Sequence, residues 1–585
     1  MLRCLFLLFL AIGWSCANDG SRGDSSTKAA WLIYNGQIWT GVDCPGLNGP
    51  PAADTYCGTA MAIGENGRVL GVGLDSIDLI EWLTPATKRT NLEGKFVMPG
   101  LIEGHGHFSG LGRSLRNLNF LRSRSWDEIV QMVAERAEQT PEGEWITGRG
   151  WHQEKWEELH PNSYGGYPLH KGLSELTPDH PVMLRHASGH SLYANQAAMD
   201  MAGLTRETPD PPGGRIVRDQ TGEAVGVFEE RAMDIITDAY QNYLQTLQPE
   251  KRYAEWLAGI RAAEDEALRY GITSFQDAGS SFTELDRYTN LANKDSLRIR
   301  LWAMLRHPAD TLEAYPERLR RLPILGAGDN RFTCRAIKSE LDGALGSYGA
   351  WLLQPYADQP GFEGQNTTLV EDVERIARMA KDNDLQLCVH AIGDKANRYT
   401  LDMMERELAD REDHRWRIEH AQHLHPADIE RFSELGVIAS IQGIHCTSDA
   451  LFAESRLGQE RAREGAYAWR SLLDAGAVVL NGTDAPVEDL SPFESLYASV
   501  TRKRANQEIY FFPKQSMTRL EALHSYTLAN AYGAFEEELK GTLEAGKLAD
   551  FIILDRNLLA CADEAILDTQ VLMTVIGGET AYENQ

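Results

Sequence analysis

Basic charge is what this sequence has least of. Its 57 lysines and arginines face 85 aspartates and glutamates, a formal net charge of −28. No segment forms a basic face able to neutralise a phosphate backbone, which excludes nucleic acid as a partner. The same deficit excludes electrostatic docking on anionic lipid. What the acidity supplies is solubility through self-repulsion. Cysteine is sparse, eight in 585 residues, and no two stand in a CxxC pair, so no zinc ribbon is indicated. There is no internal repeat, and no low-complexity tract beyond one short polar stretch near the start.

The apolar run at the start, Cys4 to Trp14, is too short to span a bilayer as a helix. After the basic Met1-Leu2-Arg3 it fits the apolar part of an export signal. Cys16 and a polar stretch to Lys28 follow. Two readings stand: a lipoprotein signal with a lipid anchor on Cys16, and simple cleavage nearby. Gly13 and Trp14 depart from what lipoprotein signals prefer. On either reading residues 1–16 are expected to be a signal peptide and 17–28 a flexible tether. The expected location is then the periplasm of a bacterium, or its membrane through the anchor. Export permits a disulfide, and Cys44 and Cys57, which flank PGLNGPPAADTY, are the candidate pair. Cys334, Cys388, Cys446 and Cys561 lie in apolar runs and read as buried thiols.

Residues 29–95 read as short strands broken by NG turns, and residues 536–585 read the same way. Two β segments at opposite ends are expected to form one sheet domain around an inserted body. That body, 96–535, alternates strand and helix patterns, which implies parallel β/α units. The candidate strands are Phe96–His107, Thr273–Asp277, Arg298–Leu305, Arg331–Leu341, Gln386–Ala391, Arg415–Ala421, Val437–Gln442 and Val478–Thr483. Helical patterns at Leu369–Asp382 and Pro426–Leu435 separate some of them. Eight such units close into a (β/α)8 TIM-type barrel of the α/β class. A long insertion, 109–266, follows the first strand.

The chemistry sits where apolar runs end. In VMPGLIEGHGHF, His105 and His107 stand two apart on a strand-like run and face one side. His390 ends LQLCVH, His420 ends WRIEH, and Asp484 follows AVVLNGT. One such histidine is an ordinary core residue; four with an aspartate, all at strand ends, point to a shared cation. Lys338 in TCRAIKSELDG shares a strand face with Glu340 and Asp342. Pointing into a barrel, it is either paired with an acid such as Glu340 or neutral enough to take up carbon dioxide as a carbamate.

Eight motifs, PGLIEGHGHF, GRGWHQEKW, GHSLYAN, KSELDGALGS, HAIGD, RIEHAQ, GTDAPVE and GTLEAGKLADFIILD, carry a resemblance that covers nearly everything after the leader. The chain resembles the amidohydrolase superfamily, in its YtcJ-like or amidohydrolase-3 branch, which includes N-substituted formamide deformylases and proteins labelled as exoenzyme regulators. The resemblance implies a barrel with a composite β-sandwich built from both termini. It implies one or two divalent ions, zinc expected, held by His105, His107, His390, His420 and Asp484, with Lys338 as a carboxylated ligand. EGHGH replaces the commoner D-x-H-x-H start, but both histidines remain.

The expected reaction is hydrolysis of a non-peptide C–N bond in a small molecule by metal-activated water. Asp484 acts as general base and then as general acid. His190, Trp151, Gln442 and His445 are the candidate substrate contacts. Three of them have a plainer reading: a loop hydrogen bond for His190, ordinary packing for Trp151, a surface loop for His445. His152, His160, His170 and His186 receive no role. The competing functions are an exported non-catalytic binding or regulatory protein that kept the fold, and a hydrolase of esters or cyclic amides. A homo-oligomer is left open.

Overall fold

The computed structural model describes residues 28–584 except 43–56, 121–122, 154–155, 158–159, 187–190 and 212–213. The leader, the Cys16 anchor, most of the tether, Cys44 and His190 therefore lie outside the described residues. Cys57 is disulfide-bonded.

Eight parallel strands form the body: β1 Leu101–Gly106, β2 Ile272–Ser280, β3 Arg300–Leu305, β4 Phe332–Glu340, β5 Gln386–Ala391, β6 Arg417–His420, β7 Ile438–Gln442 and β8 Val479–Gly482. Neighbours pair in that order from β1 to β8. The ring is drawn shut between β8 and β1 by individual bonds. The Asp484 amide donates to the His105 carbonyl (2.7 Å). Asn530 donates its side-chain amide to the carbonyls of Ile102 (2.6 Å) and Asn481 (2.9 Å), one on each strand. Gly482 allows the close approach: a Cβ there would lie 2.4 Å from Oε1 of Glu103 and 2.5 Å from the His105 nitrogen.

Alternation on each strand divides the core in two. Trp302, Met304, Ala336 and Cys388 fill the barrel interior below the mouth. The opposite faces, among them Leu301, Leu305, Ile337 and Val389, meet the outer helices. The helix Val370–Asp382 shows the complementary pattern, burying Val373, Ile376, Ala377 and Ala380 at helical spacing. Ser281 caps the helix Phe282–Asn293, in a capping box with Glu284.

The first candidate strand, 96–107, is in fact two. Phe96–Pro99 belongs to a five-stranded sheet with Gln37–Ile38, Phe551–Leu554, Val571–Ile576 and Glu579–Glu583. A four-stranded sheet of Ala29–Tyr34, Ala60–Gly64, Val69–Gly73 and Lys88–Asn91 packs on it through Trp31, Ile33, Met61, Val97, Phe551 and Val575. The break falls at Gly100, where a Cβ would lie 2.2 Å from Oγ1 of Thr273. The insertion is also narrower than expected. Its six-stranded sheet lies between Leu118 and Glu230. The later helix Pro249–Arg269 already packs against the helix Phe108–Arg116 of the barrel.

Candidate metal centre

Period two on β1 puts Glu103 and His105 on the interior face, with His107 just beyond the strand. His390 is the penultimate residue of β5, two residues after the interior Cys388. His420 ends β6 with φ of 75°, and Asp484, two residues beyond β8, has φ of 60°. Left-handed backbone at a non-glycine residue costs roughly 1–2 kcal/mol. Such strain collects where side chains must be aimed. At His420 it breaks the alternation, so that Glu419 and His420, adjacent in sequence, both serve the interior.

The donor atoms converge. One ligand atom each from His105, His420 and Asp484 lies within 4.8 Å of the others. Asp484 Oδ1 is 3.2 Å from His107 Nε2 and 3.6 Å from His105 Nε2. The His390 ring stands edge-on to His420, centroids 4.4 Å apart. His105 and His420 are 4.8 Å apart by the same measure. Thus His105, His107, His390, His420 and Asp484 share one mouth.

Whether these residues suit an ion can be read from their hydrogen bonds. Nδ1 of His105 is engaged by Glu419, and Nδ1 of His420 meets Oε1 of Gln442 at 2.7 Å. A carboxylate or an amide oxygen only accepts, so Nδ1 carries the proton on both rings and Nε2 keeps its lone pair. His105 Nε2, His390 Nε2 and Asp484 Oδ1 are buried without an aligned hydrogen bond. Unsatisfied buried polar atoms are costly, and a divalent cation among His105, His420 and Asp484 would offset that cost.

Electrostatics agree. Burial, with the Lys338 charge, pushes His105 down to about 4. Burial likewise holds His390 and His420 well below the ordinary histidine range. Neutral imidazole is the ligating form. Burial opposes charge on Asp484, but His107, His105 and His420 outweigh it and keep the carboxyl ionised. Lys338 is buried on β4, two residues beyond the interior Ala336, and burial lowers it as well. It makes no ion pair among the described residues. Glu340, its candidate partner, is taken by Arg306 at 2.7 Å.

The substrate contacts fare less well. Trp151 is fully buried in the core of the inserted lobe, beside Trp156 and Tyr193, and its indole donates to the Leu184 carbonyl (2.8 Å). It is a packing residue there, not a pocket wall. Gln442 accepts from Nδ1 of His420 and so orients that ring. His445 stacks near His420, centroids 6.2 Å apart.

Several residues escaped the sequence reading. Fully buried Arg417 donates to Glu419, to the Gly104 carbonyl (2.8 Å) and to Ser440 (2.9 Å), and so fixes the carboxylate that orients His105. Glu103 accepts from the Thr483 amide at 2.6 Å, and burial raises it to about 8. Asp342 accepts from the amides of Trp351, Ile392 and Gly393 (2.8–2.9 Å), fixing the loop after His390. Burial pushes Asp342 up to about 7. Gln422, Tyr467 and Asp449 form a buried hydrogen-bonded group near His445. The signal for Glu419 was its place beside His420 in RIEH.

Comparison with known proteins accords with this geometry. A sequence model described as "Amidohydrolase family" matches residues 89–582. The chain is 32% identical to the protein LONG AFTER FAR-RED 3 of Arabidopsis thaliana over 568 residues, 94% of this chain and 91% of that protein. It is 29% identical to the putative amidohydrolase YtcJ of Bacillus subtilis, covering 89% of this chain and 95% of that one. It is 26% identical to an N-substituted formamide deformylase of Arthrobacter pascens, over 91% and 96%. Among solved structures, an uncharacterized metal-dependent hydrolase from Pyrococcus horikoshii OT3 superposes with a TM-score of 0.72 at 26% identity, covering 91% of this chain and 99% of its own.

Proposed function

Because the chain belongs to the amidohydrolase family and is a metal-dependent hydrolase of that superfamily, we propose that it cleaves a non-peptide C–N bond of amide type in a small molecule. One observation carries the reading: donor atoms of His105, His420 and Asp484 lie within 4.8 Å of one another at the barrel mouth, and among the described residues His105 Nε2 and His390 Nε2 are buried there without an aligned hydrogen bond. The similarity to a formamide deformylase supports the bond class.

His105, His107, His390, His420 and Asp484 would hold the metal, with Lys338 as a further ligand. When bound, a divalent ion such as zinc supplies Lewis acidity, lowering the pKa of a water and polarising a carbonyl. Asp484, ionised and buried, takes the proton from the attacking water. It then returns that proton to the nitrogen that leaves. Glu419 and Gln442 hold two imidazoles in the ligating tautomer. Lys338, buried and without an ion pair among the described residues, would form a carbamate: its amine nitrogen bonds the carbon of carbon dioxide and a proton departs.

Asp484→Asn keeps its place beside the histidines but has no base. Turnover is expected to fall by about 10²–10⁴-fold while metal content is kept. The pair of measurements is metal analysis and a panel of formamides, acyl amides, cyclic imides and esters. Full activity in Asp484→Asn ends the mechanism; hydrolysis of esters alone ends the C–N assignment. A non-catalytic binding protein is disfavoured, since nothing about binding alone requires the donor set to be kept complete.

A further inference from the structure

Arginine gathers in one place in this acidic chain. A cavity of about 810 Å³ opens between the inserted lobe and the barrel, and Arg113, Arg116, Arg136, Arg149, Arg185 and Arg252 line it. They come from five elements: the helices Phe108–Arg116, Trp126–Ala137 and Pro249–Arg269, and the strands Ile146–Trp151 and Val182–His186. None of the six forms an ion pair among the described residues, although most arginines elsewhere in the barrel do. Two carboxylates, Glu144 and Glu255, share the lining, and Glu144 is already held by Lys251.

A second observation is independent of the cavity. Arg149 and Arg185 are register partners on adjacent parallel strands. Both are half-buried and both face this cleft. Like charges directly opposite one another destabilise a sheet. Their side chains find only neutral acceptors: Arg149 donates to the Pro486 carbonyl (3.2 Å) and Arg185 to the Thr237 hydroxyl (3.2 Å). Arg113 and Arg116 repeat the unfavourable spacing on a helix. A sequence rich in acids leaves these positions unneutralised, which fits a cleft whose counter-charge arrives from outside.

We propose that this cleft binds a compact small molecule carrying at least two negative charges, of the phosphate-ester or polycarboxylate kind, at a site separate from the metal centre. Guanidinium groups bind both anions by paired hydrogen bonds. Arg149 also holds the carbonyl of Pro486, two residues from Asp484, so occupancy of the cleft reaches the loop that carries the catalytic carboxylate. The proposal does not depend on which bond the enzyme cuts.

The test is calorimetric titration of the metal-loaded protein with inorganic phosphate, fructose 1,6-bisphosphate and tricarballylate at constant ionic strength, beside Arg149→Gln/Arg185→Gln. Saturable binding weakened by about tenfold or more in the double variant is expected. The tighter of the two organic probes identifies the anionic group preferred. Undiminished binding in the variant places the anion at the metal instead and overturns the proposal, as does the absence of saturable binding to the wild type. Should the double variant fail to fold, Arg113→Gln/Arg252→Gln, at exposed positions on two helices, is judged by the same criterion.

Discussion

At the N-terminal end of the barrel, Arg300 and Asp550 are each 4% exposed and are joined by hydrogen bonds of 2.6 and 2.9 Å. At the C-terminal end, His105 Nε2, His390 Nε2 and Asp484 Oδ1 are also buried and have no aligned partner. The closed end continues in the same manner. Lys540 pairs with Glu536 and donates to Ser274, and the Gly577 amide gives Asp550 a further bond of 2.8 Å. One barrel thus pairs its buried charge directly at one end and gathers neutral imidazoles around a buried carboxylate at the other. The difference teaches that burial of a polar atom is not itself a sign of function. The sign is convergence: buried ligating atoms without an aligned partner gathered beside one another at a single mouth.

The comparison can be broken from either end. The largest effect is expected from removing the ion. Chelation should abolish turnover, and zinc should restore it fully with bicarbonate present but incompletely in buffer free of carbon dioxide. Recovery indifferent to bicarbonate, followed by activity assay, would remove the carbamate from Lys338.

Next comes the closed end. Asp550→Asn strands a buried guanidinium and should cost about 3–5 kcal/mol of stability, read as a lower melting temperature. Here pH gives the sign. Burial opposes charge on Asp550, but Arg300 outweighs it and holds the carboxyl below its ordinary 3.8, so the folded state binds fewer protons than the unfolded chain. The stabilisation is complete above that value and fades as pH falls through the lower, folded one. The gap between wild type and variant should therefore narrow in acid; a gap that widens there would reverse the assignment.

A smaller effect is expected at the open end from Gln442→Leu. His420 loses its Nδ1 partner, and metal affinity should drop by about 10–100-fold in chelator competition, with melting of the metal-free protein little changed. Smallest in its effect on catalysis is Trp151→Phe. It removes one hydrogen bond and some packing, at a stability cost of about 1–3 kcal/mol, with KM unmoved. A marked rise in KM would return Trp151 to the pocket.

The barrel was legible because its strands end abruptly. His390, His420 and Asp484 each close an apolar run, and a polar residue there marks both the strand's end and its catalytic mouth. The partners of those residues were not legible. Arg417 finds Gly104 and Gln442 finds His420 only through the register of strands far apart in sequence. Strict alternation also argues against Glu419 and His420 acting together, and only the left-handed turn at His420 reconciles them. Trp151 was undecided for another reason. Its motif reads the same at a pocket or in a core, and the inserted lobe decides by enclosing it.

Asn530 clasps Ile102 to Asn481 from a segment made late in synthesis. A nascent chain that has emerged only as far as Asp484 already possesses every proposed ligand, yet its first and last staves lack the Asn530 clasp. Metal capture on this scaffold is accordingly expected late, after the carboxyl-terminal region has added its clasp, and fragments lacking that region are expected to hold zinc more weakly than the full chain.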